Sequence, residues 1–132
     1  MADVLVFVIG MVFGSFMNVC IFRIPAGESV LTGRSHCTVC KTDIKWYDLV
    51  PVLSYIILGG RCRNCRTRIS ARYPFIEFLN GASWLILYKL FGFNLLFILT
   101  CITFSTLLVL ILIAYDNKIH EFCKIHKSNK EK

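Results

Sequence analysis

Two long stretches without a charged side chain constrain this sequence more than any other feature. Residues 4–22 and residues 95–115 contain 19 and 21 consecutive uncharged positions. As a helix, each stretch is long enough to cross the roughly 30 Å hydrocarbon core of a bilayer. A third apolar stretch, residues 74–91, is interrupted by only two charges. With 56% hydrophobic and 17% charged residues, the chain is predicted to be an all-α polytopic membrane protein with about three transmembrane helices.

The charged residues are concentrated outside these stretches. Residues 23–73 contain nine basic and three acidic side chains, and residues 117–132 contain five basic and two acidic ones. Cytoplasmic segments of membrane proteins carry the excess of Lys and Arg. We therefore expect a bacterial inner-membrane protein with an external N-terminus and both basic segments in the cytosol. This topology accounts for the basic excess without a nucleic-acid partner, so the partner expected for these charges is the lipid bilayer.

The composition predicts four units along the chain. They are transmembrane helix 1 (1–22), a cytosolic loop domain (23–73), transmembrane helices 2 and 3 (74–116) and a basic cytosolic tail (117–132). The apolar segment 49–58 is too short to span a bilayer, and we expect it either inside the loop domain or at the membrane surface. No internal repeat is expected.

Four cysteines of the loop domain form two Cys-x-x-Cys pairs. Cys37 and Cys40 are separated from Cys62 and Cys65 by 21 residues. Each pair can lie on a tight turn with converging sulfurs, and two such turns complete the tetrahedral sulfur site that structural Zn²⁺ prefers. Disulfides are the main alternative, but they rarely persist in the reducing cytosol. A second alternative is that the four cysteines are reduced and bind no ligand. We predict a closed, structural zinc site.

Polar and small side chains in the apolar stretches predict helix packing. Gly10, Gly14 and Asn18 follow one another at four-residue steps and lie on one helical face, where glycines permit close approach and an amide can hydrogen-bond across helices. Glu77 lies near the cytosolic start of the second predicted span. We expect it to form an interfacial ion pair with Arg72 or with an arginine of the loop.

The order of motifs along the first 80 residues resembles that of the bacterial prepilin leader peptidases, the aspartic peptidase family A24. The resemblance covers residues 10–80, the N-terminal module of that family. It rests on Gly14-Ser15-Phe16-Met17-Asn18, Arg23-Ile24-Pro25, the two cysteine pairs, Trp46-Tyr47-Asp48-Leu49, Gly60-Arg61-Cys62-Arg63, Arg72-Tyr73-Pro74 and Glu77.

This resemblance implies a membrane aspartic endopeptidase of type IV pilus, type II secretion or competence systems. Such enzymes cut a basic leader from pilin-like precursor proteins at the cytosolic face. Many members also methylate the new N-terminus, so S-adenosylmethionine is a cofactor implied by the resemblance alone.

Peptide hydrolysis by this family needs two aspartates, and the resemblance places Asp116 at the first position. The Gly-x-Gly-Asp motif that carries the second aspartate does not occur in these residues, and no Pro-Asp follows Asp116. One carboxylate cannot divide acid and base roles, so we expect no peptidase activity from this chain alone. It can be a truncated or split enzyme completed by a companion chain, a degenerate relic, or a non-catalytic zinc-loop adaptor for pilin-like precursors. The ordinary alternative for Asp116 itself is an interfacial marker at the end of a span.

Overall fold

The computed structural model describes residues 1–128, with side chains through Lys118, and consists of helices joined by one large loop. Helix α1 spans Ala2–Arg23, α2 spans Leu53–Ile57, α3 spans Arg72–Phe91 and α4 spans Leu95–Ser128. A 3-10 helix at Trp46–Leu49 precedes α2. Residues 1–128 contain no β-strand beyond two isolated bridges in the loop, so the predicted all-α class is confirmed.

Helices α1 and α4 are long and apolar enough to cross a membrane. Helix α3 has 20 residues, but it carries Arg72, Glu77 and Lys89 and is not apolar enough to be assigned as a span in the same way. The chain is an all-α membrane protein, and the third span stays a prediction. Helix α4 continues past the predicted end of the span at residue 115, so residues 117–128 extend the helix. The side chains of the predicted tail beyond Lys118 lie outside the described residues.

The predicted small-residue face of α1 is the seam against α3. A Cβ atom added to Gly10 would lie 2.8 Å from the Cα of Gly81, and one added to Gly14 would lie 2.7 Å from the Cα of Glu77. Such distances leave no room for a side chain, so the two backbones are in direct contact. At the end of the seam, the Asn18 amide donates to the carbonyl oxygen of Tyr73 over 3.1 Å. The packing role predicted for this face is confirmed.

A chain of buried hydrogen bonds joins the three long helices at their centre. The Asn80 amide, which is 0% exposed, donates to the carbonyl oxygen of Gly10 over 2.7 Å. The Ser105 hydroxyl donates to Asn80 Oδ1 over 2.9 Å and accepts from the Trp84 indole over 3.1 Å. Polar groups at this depth need internal partners because lipid offers none. One asparagine thus ties α3 to both α1 and α4.

Apolar contacts fill the space on either side of this chain. The cluster toward the N-terminus of α1 contains Val6, Trp84, Phe97 and Cys101. The cluster toward the loop contains Met17, Ile21 and Ile76, covered by α4. Since α1 ends and α3 begins at the same end of the bundle, the loop between them emerges from the side of the second cluster.

Replacing Asn80 by Leu tests the central hydrogen bonds. Leu has a similar shape but cannot bond Gly10 or Ser105, and we expect a loss of stability of about 1 kcal/mol, the usual scale for interhelical bonds in membranes. Thermal unfolding in detergent measures the effect. The matched control is Thr106→Val, which removes an exposed hydroxyl bonded only within α4. Equal stability of the two variants would contradict the central role of Asn80.

Candidate functional site

The two Cys-x-x-Cys pairs lie on two loops with the same hydrogen-bond pattern, 25 residues apart. In the first, Cys37 N–H donates to the carbonyl oxygen of Thr42 over 3.0 Å. In the second, Cys62 N–H donates to the carbonyl oxygen of Thr67 over 2.8 Å. We call these loops the first knuckle, residues 35–44, and the second knuckle, residues 60–69.

The equivalence extends along both knuckles. Lys41 N–H bonds back to Cys37 with a φ of 58°, and Arg66 N–H bonds back to Cys62 with a φ of 60°. Both knuckles are closed by an isoleucine N–H, and each contains one antiparallel bridge. The expectation of no internal repeat is therefore wrong. The shared pattern Cys-x-x-Cys-(Lys or Arg)-Thr-x-Ile is visible in the sequence, but at eight residues it is short enough to pass as chance similarity.

The repeat brings all four predicted sulfurs together. Their Sγ atoms lie within 4.8 Å of one another, with 3.7 Å between Cys37 and Cys65 and 4.0 Å between Cys40 and Cys62. A tetrahedron of thiolates around a zinc ion, with Zn–S bonds of about 2.3 Å, has sulfurs about 3.8 Å apart. A disulfide would need about 2.05 Å. The four cysteines are free thiols that can hold one metal ion, and their spacing matches that geometry.

Threonines at equivalent positions stabilise the thiolate form. The Thr42 hydroxyl, the Thr42 backbone N–H and the Asn64 amide lower the pKa of Cys40 from 9.0 to about 5. In the second knuckle, the Thr67 hydroxyl lies 3.3 Å from Cys65 Sγ, and hydrogen bonding from Thr67 lowers the pKa of Cys65. The thiolate is the form that binds metal, so these bonds favour the metal-binding form of Cys40 and Cys65. The contacts of the threonines with the sulfurs were not predicted from the sequence. The signal that could have indicated them is a threonine at the same position of both knuckles.

Side-chain contacts hold the two knuckles together. The Asn64 amide donates to the Thr42 hydroxyl across the knuckles over 3.0 Å. Arg63 donates two hydrogen bonds of 2.8 Å and 2.6 Å to Asp48 in the 3-10 helix and lies 5.4 Å from the centre of the Tyr47 ring. These hydrogen bonds hold the pKa of the Asp48 carboxyl below its ordinary value. Arg63 therefore fixes the second knuckle to the 3-10 helix.

The first knuckle is tied to α1 through Arg23. This buried guanidinium donates to four backbone carbonyl oxygens, with distances of 2.8 Å to 3.4 Å. The acceptors are Ser29, Thr32, Gly33 and Arg34. The arginine thus shapes the entry into the first knuckle. Arg23 was predicted only as one of the basic residues of the cytosolic segment, and no local sequence pattern indicates this contact.

Asp116 lies at the loop end of the bundle, in an ion pair with Arg72. Arg72 Nη1 is 2.8 Å from each carboxylate oxygen of Asp116. The other amino nitrogen, Nη2, is buried and has no hydrogen-bond partner among the residues whose side chains are described. Because Arg72 is the first residue of α3 and follows the second knuckle after two residues, it links the metal-binding loop to Asp116 of α4.

Glu77 does not form the expected ion pair. Its carboxylate accepts a hydrogen bond of 2.7 Å from the backbone N–H of Val52, and Arg72 pairs with Asp116 instead. Val52 has a φ of 60°, which is rare for a β-branched residue. The bond from Val52 holds the start of α2 against α3, a contact that no local sequence pattern indicates.

Comparison with known proteins places these features in a family. The family model described as the Bacterial Peptidase A24 N-terminal domain matches residues 8–91. The chain is 37% identical over 116 residues to the prepilin leader peptidase/N-methyltransferase of Myxococcus xanthus (strain DK1622), which covers 88% of this chain and 35% of that protein. No solved structure matches.

Two further relatives carry related names. The chain is 32% identical over 127 residues to the prepilin leader peptidase/N-methyltransferase of Vibrio cholerae serotype O1, covering 82% of this chain and 50% of that one. It is 39% identical over 95 residues to the type 4 prepilin-like proteins leader peptide-processing enzyme of Escherichia coli O78:H11, covering 58% and 35%. The chain thus spans between about a third and a half of the length of these relatives.

Replacing Thr42 by Val tests the thiolate hydrogen bonds. Without the hydroxyl, the pKa of Cys40 in the metal-free protein should rise from about 5 toward 9.0, observed as thiolate ultraviolet absorbance against pH. Because protons compete with metal for sulfur, acid should release the metal at a higher pH than in the wild type. Thr38→Val is the control, since Thr38 is exposed within the first cysteine pair. Identical release curves for both variants would rule out this role of Thr42.

Proposed function

The chain belongs to the family of the bacterial peptidase A24 N-terminal domain, and on this premise we propose that it is the zinc-bearing N-terminal module of a prepilin-peptidase-like membrane protein. Its substrates would be pilin-like precursors, as the names of its relatives suggest. The observation that carries the proposal is the pairing of Asp116 with Arg72 at the loop end of the bundle. The carboxylate is thereby held beside the segment that carries the two knuckles.

The proposed topology follows the charge distribution. Residues 23–73 and 117–132 lie in the cytosol, the N-terminus lies outside, and the bundle crosses the inner membrane in three spans. In this arrangement Asp116 and the knuckles face the compartment from which a basic leader would approach. The end of α1 at Arg23 and the start of α3 at Arg72 support the proposed boundaries at residues 22 and 73, whereas α4 continues through residue 116.

Zinc is proposed as the ion of the four-cysteine site. Thiolate ligands, the sulfur spacing and the closed donor set fit Zn²⁺ as a structural ion. When bound, it would cross-link the two knuckles and order the loop. The hydrogen bonds from Thr42, Thr67 and Asn64 orient the sulfurs and favour their deprotonated state.

Leader cleavage requires a second carboxylate beside Asp116. One group takes a proton from the attacking water while the other protonates the leaving amine. The buried Arg72 Nη2, which bonds no described side chain, is a donor available to a second carboxylate next to Asp116. These residues contain no Gly-x-Gly-Asp, so we propose that the second aspartate comes from other polypeptide, such as a companion chain. Methylation with S-adenosylmethionine is proposed only from the names of the relatives.

A non-catalytic adaptor is the second candidate. It is favoured by the lack of a Gly-x-Gly-Asp motif in these residues, since Asp116 alone cannot divide the acid and base roles. An adaptor would bind a pilin-like precursor through the loop and never cleave it. The cleavage experiment below separates the two candidates.

Metal analysis tests the zinc proposal. Purified protein should contain about one zinc per chain, because four thiolates complete one tetrahedral site. Cys62→Ser should lose the metal, whereas Cys20→Ser, which alters a free thiol of α1, should retain it. Wild-type protein that contains no zinc after purification under reducing conditions would contradict the proposal, and a Cys37–Cys65 or Cys40–Cys62 disulfide in protein taken from cells without reductant would favour the disulfide alternative.

Leader cleavage tests the role of Asp116. When the chain is co-expressed with a companion carrying Gly-x-Gly-Asp, a pilin-like precursor should be processed, and Asp116→Asn should abolish processing because one carboxylate is lost. Asp3→Asn is the matched control, since Asp3 pairs with Lys89 at the opposite end of the bundle. Processing that survives Asp116→Asn would exclude the dyad role. Precursor binding without processing in every combination would favour the adaptor.

A further inference from the structure

A cavity lies between α2 and the two ends of the second knuckle. It has a volume of about 270 Å³ and is lined by Tyr55, Gly59, Gly60, Arg61, Arg68 and Ile69. Gly59 and Gly60 have positive φ values of 58° and 66°, and a Cβ on Gly60 would lie 2.8 Å from the Tyr55 hydroxyl oxygen. The glycine turn therefore lets Tyr55 form one wall while two arginines form another.

The arginine pair in this cavity is unfavourable by itself. Arg61 and Arg68 are directly opposite each other in an antiparallel bridge, where like charges repel. The equivalent bridge of the first knuckle pairs His36 with Asp43, a combination without this repulsion. The internal repeat thus supplies a comparison: the same backbone carries a compatible pair in one knuckle and two positive charges in the other.

Neither arginine of the pair is neutralised within the described part of the protein. Both side chains are exposed, and neither forms a salt bridge with a described carboxylate or a hydrogen bond to a cysteine sulfur. Arg63 shows the contrast, since it donates two hydrogen bonds to the Asp48 carboxylate. No described carboxylate thus balances the charge of the two guanidinium groups, which are exposed and available to an external anion.

The position of α2 indicates where this anion lies. The Val52–Glu77 hydrogen bond fixes the start of α2 at the loop end of α3, which lies near the cytosolic membrane surface in the proposed topology. Leu53, Ile56 and Ile57 of this short helix are 53%, 67% and 68% exposed. An exposed apolar segment at this level can enter the interface between headgroups and acyl chains. The cavity follows directly at the other end of α2.

From these observations we infer that the second knuckle binds the phosphate headgroup of an anionic phospholipid through Arg61 and Arg68. Guanidinium groups form paired, charge-assisted hydrogen bonds with phosphate oxygens. The exposed side chains of α2 contact the acyl chains of the same lipid layer. This contact seats the metal-binding loop on the membrane surface, whether or not the chain takes part in leader cleavage.

Lipid titration of the full chain in nonionic detergent tests the inference, with bound lipid counted by native mass spectrometry. Short-chain phosphatidylglycerol should bind wild-type protein, and Arg61→Gln/Arg68→Gln should weaken binding by about ten-fold or more, the scale of losing charge-assisted hydrogen bonds. The matched control is Arg34→Gln/Arg66→Gln, which removes the same charge from the residue before the first knuckle and from the second knuckle, outside the cavity. Equal weakening in both double variants would overturn the inference, because it would indicate general attraction to a basic loop.

Two further arms identify the source of the phosphate. Inorganic phosphate alone should bind more weakly than the lipid, and equal affinity would overturn the lipid assignment in favour of a free anion. Ile56→Ser/Ile57→Ser should weaken binding of lipid but not of inorganic phosphate, and unchanged lipid binding would contradict the role of α2. This variant leaves the knuckles intact, so it remains informative if the arginine variant loses its metal or fails to fold.

Discussion

The structure depends first on one buried asparagine between three helices. Asn80 bonds the backbone of α1 and the hydroxyl of Ser105 in α4, so α3 is fixed to both neighbours at the same depth. In lipid, apolar contacts alone discriminate poorly between helix registers, since acyl chains are as apolar as the side chains. The hydrogen bonds select one register, and the glycines of α1 allow the close approach that this register requires.

That register also determines what meets at the loop end of the bundle. With α1 and α3 in direct contact, Asn18 reaches the Tyr73 carbonyl, and the loop leaves and re-enters the bundle at adjacent points. Arg23 shapes the exit toward the first knuckle, and Arg72 begins α3 shortly after the second. The metal-binding loop is therefore clamped at both of its ends by an arginine. A metal ion bound between the knuckles would also cross-link the middle of the loop.

The sequence predicted well those features that depend on local spacing. The four sulfurs converge because each Cys-x-x-Cys pair is a local turn, and the helices follow from uncharged stretches. The sequence predicted poorly which side chains pair when they come from distant segments of the chain. Glu77 was expected to pair with Arg72 or with an arginine of the loop, but Glu77 accepts a hydrogen bond from Val52 and Arg72 pairs with Asp116. The Thr42 and Thr67 contacts could have been predicted only from the internal repeat. That repeat is hard to recognise because its two segments are short and divergent.

The divergence between the two knuckles separates structural from interacting positions. Positions that close the knuckle or hold a sulfur are the same or similar in both copies: the cysteines, Thr42 with Thr67, and the closing isoleucines. Positions that face outward differ, and the bridge changes from His36 and Asp43 to two arginines. A backbone that tolerates both pairs does not need either for its fold, since the hydrogen bonds that define the knuckle are main-chain bonds. The arginine pair is therefore best explained by what the second knuckle contacts.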